Sequence, residues 1–540
     1  MNLAKVKAWP WRLIIEPAGP LQIVGISFGS LALSALLIGS QVFRANWGVI
    51  DDHQTLRFIG IGNHHLALNQ YFDVLRDHTE LGRIGHSLRF RPFYYPALLF
   101  EAVIWGDNVH LWYACRVMLF AIFIACTWIA ISRFLGTLFG VAAVFYIVRK
   151  PFWGDVWARL SPGEIYATTG LGIWTISLLG MFSGKSTRAK NLSLFGITLG
   201  AAMMVGSKEP LFPFVGYTVC ALCFFLFRDR RSFVAMVCLV FTILYGGASG
   251  IIIHLALSKS REDFLGEPIN FVERLRKVFP ELGLASFEFL IPAVVLCLLT
   301  AAVLRRAKLQ NTTPNDAWLK ATSSYFLGVF GLWSLYLTQY IAYNGTWPTG
   351  DRYDFPGQLA LPAFLIISLI YAIAVLQRVH HIESTLRWVA ISIAATSIPI
   401  MVKSLPFQVS KAAALNIRAT STFQAALQQI VELANSNPQK PIILRANGAW
   451  SYEKIISVSI YLRRYGVVNA IAVHFIPEKN LDPRIPASKF NDLGREITKW
   501  QDNGREYLVP LESVEVAAKS GCISIGLDGP VEPVCRGVEI

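Results

Sequence analysis

The sequence predicts a polytopic α-helical membrane protein of about eleven transmembrane helices, with a small α/β domain at its C-terminal end. Three observations carry this. Of 540 residues, 54% are hydrophobic and only 16% charged, whereas a soluble chain of this size carries about a quarter charged residues. Many windows near twenty residues long are almost uninterrupted apolar sequence, the length that crosses a hydrocarbon core about 30 Å thick. Finally, the short loops between these windows concentrate Lys and Arg on one side, as in Lys185, Arg188 and Lys190, in Arg228, Arg230 and Arg231, and in Arg305, Arg306 and Lys308. That is the positive-inside bias that orients a chain in a bilayer. It also accounts for the net charge of +14 without a nucleic-acid partner. A β-barrel would show short alternating strands instead.

The first element is preceded by Lys5, Lys7 and Arg12. The apolar stretch after them, from about Leu21 to Val42, is too long for a signal-peptide h-region, so it reads as a retained first helix with a cytoplasmic N-terminus. A long outer loop, 43–95, comes next. Pro96 to Trp105 is short for a crossing and reads as re-entrant or interfacial. Crossings are then expected near Leu111–Ile131, Phe134–Val148, Ile165–Phe182, Leu192–Val205, Leu211–Phe227 and Phe233–Leu257. Four more are expected near Phe287–Leu304, Tyr325–Tyr343, Leu359–Leu376 and Trp388–Val402. In this trace the basic clusters all fall inside and the acidic loops outside.

The transmembrane module spans 1–403, and at about Lys403 the composition changes. Over 404–540, Pro, Asn, Gln and charged residues return. Pro441–Leu444, Ala470–Phe475 and Cys522–Ile525 read as strands, and Tyr452–Arg464 and Asp492–Gln501 as helices. Neither a GxGxxG nor a P-loop accompanies them, so a nucleotide site there has no support. Six cysteines fall in apolar spans, including the Cys220-x-x-Cys223 pair, which reads as helix packing. Cys522 and Cys535 flank the Gly529-Pro530 turn and are expected to form a disulfide in an oxidising periplasm.

Chemistry-bearing residues gather on the outer side. Asp51-Asp52-His53 lies just after the first span, in a loop that also holds Arg83 to Pro96 with its Arg89-Phe90-Arg91-Pro92-Phe93-Tyr94 stretch. A carboxylate at a membrane boundary can take a proton from a hydroxyl nucleophile or hold a divalent cation, Mg or Mn; capping of a short interfacial helix is the plainer use. His53, His64, His65, His78 and His86 match no standard ligand spacing and read as scattered polar loop residues. Later outer loops carry Asp155, Arg159 and Glu164, then Ser207-Lys208-Glu209-Pro210 in a tight turn, then Thr349-Gly350-Asp351-Arg352-Tyr353-Asp354. Lys208 and Glu209 could neutralise each other. Arg352 could grip a phosphate bidentately or make a loop salt bridge.

An acidic pair just after the first span, a long first outer loop, about eleven spans and an outer C-terminal domain resemble the GT-C glycosyltransferases, among them the protein O-mannosyltransferases, lipid A aminoarabinose transferases and oligosaccharyltransferases. The resemblance implies an inverting glycosyltransferase of a bacterial plasma membrane. Its donor would be a polyprenyl-phosphate-linked sugar and its acceptor a periplasmic glycan, lipid or protein. On the same similarity Asp51 or Asp52 is the base, with Asp51 favoured, and Asp155 or Glu164 is a second acidic residue of the site. The leaving phosphate needs fixed cations, for which Arg89, Arg91, Arg159, Lys208 and Arg352 are available, with Glu209 and Tyr353 beside them. The Asp-X-Asp motif of the metal-dependent oligosaccharyltransferases is not evident here. Two other classes compete. A transporter or flippase would bury ionisable residues near the bilayer midplane and show internal repeats. A polymerase or ligase of lipid-linked glycans would carry its largest outer loop late in the chain, whereas here it is the first.

Overall fold

The computed structural model describes residues 19–49, 51–81, 90–183, 186–260, 271–308, 315–342, 351–376, 407–446, 452–475, 501–502, 505–506, 508–509, 511–514, 516, 518, 521–527 and 532–534. Helix α1 (Pro20–Ile38) begins with Pro at its first position, where the missing N–H costs nothing. A single turn, α2 (Ser40–Arg44), leads into the first loop, which holds two short helices, α3 (Asp52–Ile59) and α4 (Tyr71–Asp77). The expected interfacial segment is helix α5 (Tyr94–Trp105).

Asn108 then caps α6 (Val109–Leu135), its side chain accepting from His110 N at 3.2 Å. Gly136, with φ 83°, ends α6 and opens α7 (Thr137–Val148), a reversal that a side-chain-bearing residue would resist. After the short α8 (Phe152–Trp157) come α9 (Glu164–Ser183), α10 (Thr187–Val205), α11 (Pro213–Arg228) and α12 (Phe233–Ser260). Helix α13 (Phe271–Ala285) contains Pro280 and passes through a π turn, Ser286–Leu290, into α14 (Ile291–Lys308). Pro280 removes a backbone donor, and such turns accommodate the mismatch. Helices α15 (Asn315–Ala342) and α16 (Ala360–Leu376) complete the bundle's described part. The expected span Trp388–Val402 lies outside the described residues.

Five helical segments among the described residues are long and apolar enough to cross a bilayer, namely Pro20–Ile38, Val109–Leu135, Glu209–Arg228, Phe233–Leu255 and Phe279–Val303. They bury only 22–44% of their most apolar windows. Their outward faces carry Leu21, Phe28, Met118, Phe241, Leu244 and Leu298, all exposed. Apolar surface on this scale is not left to water; it is the lipid-facing surface of a membrane bundle.

The C-terminal part begins with a 30-residue helix, α17 (Phe407–Ser436), that packs along α1, α2 and α8. Beyond it, β1 (Ile442–Ala446), helix α18 (Tyr452–Arg464) and β2 (Ile471–Phe475) form a parallel unit. Strands β3 (Gln501–Asp502) and β4 (Arg505–Glu506) form a separate two-residue hairpin. Strands β5 (Ile523–Gly526) and β6 (Glu532–Val534) complete a four-stranded sheet of order β2-β1-β5-β6, with β5 parallel to β1 and β6 antiparallel at the edge. All three strands expected from the sequence lie in this sheet. Of the expected helix Asp492–Gln501, only Gln501 is described, and it pairs in β3.

One apolar core runs without a break from the first loop into this domain. Trp47, Leu56, Phe58 and Leu98 share it with Phe423, Ile455, Val458 and Tyr461. That continuity places α18 directly against α3.

Candidate active site

The acidic pair sits where four loops meet. Asp51 precedes α3 with φ 69°, the sole non-glycine residue with positive φ among the described residues. Such a backbone costs about 1–3 kcal/mol and persists where the surroundings over-determine it. Its carboxylate Oδ2 accepts from Nη1 of Arg352 at 2.8 Å, across 301 residues of sequence. Burial works against ionising Asp51, but the Arg352 guanidinium outweighs it and holds the carboxyl below its ordinary range.

Asp52 is in the opposite situation. It is 5% exposed and accepts from Gly48 N at 2.8 Å and from Ser161 Oγ at 3.3 Å. Burial, with the charge of Asp51 adding to it, pushes this carboxyl up to about 7, against the pull of the Gly48 hydrogen bond. The two adjacent carboxyls are therefore shifted in opposite directions.

The expected outer-loop residues assemble around the pair. Glu164 opens α9 and is buried in an ion pair with Lys208. Lys208 does not neutralise its neighbour Glu209, as their adjacency had suggested. Glu209 instead pairs with Arg91 at 3.1 Å, and the Lys208 ammonium stands 4.7 Å from the centre of the Tyr353 ring. The Arg352 guanidinium lies 5.3 Å from the same ring. Asp155 accepts from Arg352 N at 3.2 Å while pairing with Arg159 at 2.8 Å, so it props the Arg352 turn from below. Asp351 caps that turn by accepting from Tyr353 N at 2.8 Å. Arg89, Cys535 and His86 lie outside the described residues; Cys522 carries a half-buried free thiol.

Adjacent carboxylates had allowed for a divalent cation. Among the described residues no group of three or more His, Cys, Asp or Glu side chains could hold a metal ion. Asp51 faces Arg352, and Asp52 faces two hydrogen-bond donors. His53 is buried, which pushes it down to about 4 and keeps it neutral. Its Nδ1 lies 2.7 Å from Ser457 Oγ on α18.

Sequence reasoning missed several residues that set this geometry. Arg116, fully buried in α6, pairs with Glu101 of α5 at 2.6 Å and donates from Nε to the Leu160 carbonyl at 2.8 Å. It thereby fixes the segment that presents Ser161 to Asp52. Tyr94 donates to the Ser161 carbonyl at 2.7 Å and fixes the next peptide. Isolated charges in apolar stretches were the signal for Glu101 and Arg116. Ser161, Ser457 and Tyr461 carried none.

No protein-family model matches the sequence, and no curated protein matches it significantly. Among solved structures, the chain is similar to ArnT from Cupriavidus metallidurans bound to undecaprenyl phosphate, at 11% identity and a TM-score of 0.41, over 94% of this chain and 93% of that one. Similarity at that level matches no individual residues between the two chains.

Proposed function

We propose that this chain is a GT-C-type inverting glycosyltransferase that moves a sugar from a polyprenyl-phosphate donor to a hydroxyl of a glycan, lipid or protein on the periplasmic face of a bacterial plasma membrane. The observation that carries the reading is the ion-paired cluster of Asp51–Arg352 and Glu164–Lys208, beside the protonatable Asp52, at one end of an apolar helix bundle. Lipid-phosphate chemistry needs this combination of a base, fixed cations and a position at the bilayer edge.

Asp51 is the base. Its side chain retains 20% exposure where Asp52 is enclosed. When a phosphate claims Arg352, Asp51 loses the cation that depresses its basicity and can accept the acceptor's hydroxyl proton. The acceptor oxygen then bonds to the anomeric carbon with inversion, the carbon–oxygen bond to phosphate breaks, and polyprenyl phosphate leaves as an anion. Arg352, Lys208 and Arg91 are the cations that receive its charge. Asp155, Arg159, Glu209 and Tyr353 hold those cations in place.

The helix ends favour the proposed orientation. α6 leaves the cluster end of the bundle and finishes beside Arg133, and α11 finishes at Arg228. At about 1.5 Å per residue, the 27 residues of α6 and the 20-residue segment Glu209–Arg228 that ends in α11 each cover a hydrocarbon core about 30 Å thick. The eleven crossings expected from the sequence would put the C-terminal domain on the same side as the first loop, with which it shares an apolar core. A transporter or flippase would instead need its ionisable groups along a path at midplane. The deeply buried Arg116–Glu101 pair is saturated by its own partners.

The test is transfer from polyprenyl-phosphate-linked sugars by protein reconstituted in liposomes, together with the lipid-linked sugar pool of a deletion strain. Asp51→Asn should lower turnover by about 10²–10⁴-fold, with Asp52→Asn costing less. Wild-type turnover by Asp51→Asn would remove the base assignment, and an unchanged pool on deletion would remove the enzyme class.

A further inference from the structure

We propose that the C-terminal domain is part of the catalytic apparatus, with Tyr461 and Ser457 of α18 acting as positioning residues that hold the Gly48–Val49 backbone and, through it, the Asp52 carboxylate. This rests on the reading of Asp51–Asp52 as the catalytic pair.

A chain of hydrogen bonds links the two parts. Tyr461, 1% exposed, donates from its hydroxyl to the Gly48 carbonyl at 2.7 Å. One residue on, Ser457 gives its hydroxyl to the Val49 carbonyl. A hydroxyl has one proton, so His53 donates to Ser457 from Nδ1, tying the first turn of α3 to the same point on α18. Slightly earlier in the loop, Asn46 N donates to Thr420 Oγ1 of α17 at 3.1 Å.

Consecutive peptides of the loop are thus held by the C-terminal domain, and the one they bracket delivers Gly48 N–H to Asp52 Oδ2 at 2.8 Å. The fit is close. A Cβ at residue 48 would come within 3.0 Å of that oxygen and 3.7 Å of Thr420 Cγ2. None of these bonds belongs to the domain's own strand ladder.

The Gly48 bond favours the ionised carboxylate, so loosening it moves the Asp52 titration upward. The other charged and titratable groups facing Asp52 are Asp51 beside it, Arg159 after α8, Tyr113 on α6 and Tyr461 itself. Tyr461→Phe changes none of their charges near neutral pH, and its ring keeps its packing against Phe423.

The experiment uses the full chain in detergent and in liposomes. Thermal midpoints of Tyr461→Phe, Ser457→Ala and the distal Gln424→Ala are recorded from pH 4 to 9, each with and without Asp52→Asn. The pH at which the effect of Asp52→Asn on stability stops growing reports the folded-state Asp52 titration without reference to activity. It should move up by about one unit in Tyr461→Phe and in Ser457→Ala, and stay in place in Gln424→Ala. Unmoved titrations in both α18 variants would overturn the proposal. A moved titration in a protein that transfers no sugar would leave the positioning role standing and remove the glycosyltransferase reading.

Discussion

Asp51 and Asp52 are adjacent and chemically identical, and their surroundings give them opposite roles. The pull of Arg352 keeps Asp51 ionised, whereas Asp52 is buried beside a like charge and rises from 3.8 to about 7. The raised carboxyl binds its proton more tightly folded than unfolded. Its penalty is therefore absent below about pH 4, grows as pH rises to 7, and is complete above that, at about 4 kcal/mol. Asp52→Asn keeps an oxygen for Gly48 and should raise the thermal midpoint at pH 8 while leaving it unchanged at pH 4. An equal effect at both values would show that Asp52 is not displaced. Its neighbour His53 acts in the other sense. Its pKa is lowered to about 4, so its contribution is lost as pH falls from 6.5 toward 4. Adjacent residues thus penalise the folded state toward both ends of the pH range.

At the scale of elements, short connections carry the precision. Gly48 is needed for space rather than for backbone freedom, since a Cβ there meets the Asp52 carboxylate. Gly48→Ala should destabilise by about 1–3 kcal/mol and lower transfer by displacing that carboxylate, measurable as a fall in kcat larger than the change in KM. Helices α5 and α6 are joined by the buried Arg116–Glu101 pair. Arg116→Met leaves Glu101 uncompensated and should cost about 3–5 kcal/mol. Arg116→Met with Glu101→Gln should recover much of that in a thermal-shift assay. If the double variant is no better than the single, the loss comes from the Leu160 carbonyl, whose donor both lack.

For the whole molecule, the bundle presents apolar faces outward and gathers its described acidic pair and the ion-paired Arg352, Lys208 and Arg91 at one end, with α17 as a strut between the bundle and the sheet. The proposed orientation has a direct check in single cysteines introduced into a cysteine-free chain. Asp73→Cys, on the exposed α4, should react with a membrane-impermeant maleimide in intact spheroplasts. Arg230→Cys, just past α11, should react after permeabilisation only. The reverse pattern would invert the topology and remove the periplasmic site.

Composition read along the chain is enough to establish the bundle and part of the sheet. Apolar windows of helix length marked out the helices, and basic residues at alternate loops favoured one orientation. Apolar runs at Ile442–Leu444, Ile471–Phe475 and Ile523–Ile525 marked the three strands. The same one-dimensional reading put Asp51, Asp52, Glu164, Lys208 and Arg352 on one side, because loop membership is a property of chain order. Their partners are set by the packed molecule alone. Lys208 pairs with Glu164 rather than Glu209, and Arg352 with Asp51 rather than the acids beside it. Ion pairing depends on distance in space, and helices that return to the same face bring residues 301 positions apart to hydrogen-bonding range. For the same reason Ser457 and Tyr461 were silent in the sequence. Their role exists because α18 is packed against the loop that carries the acidic pair.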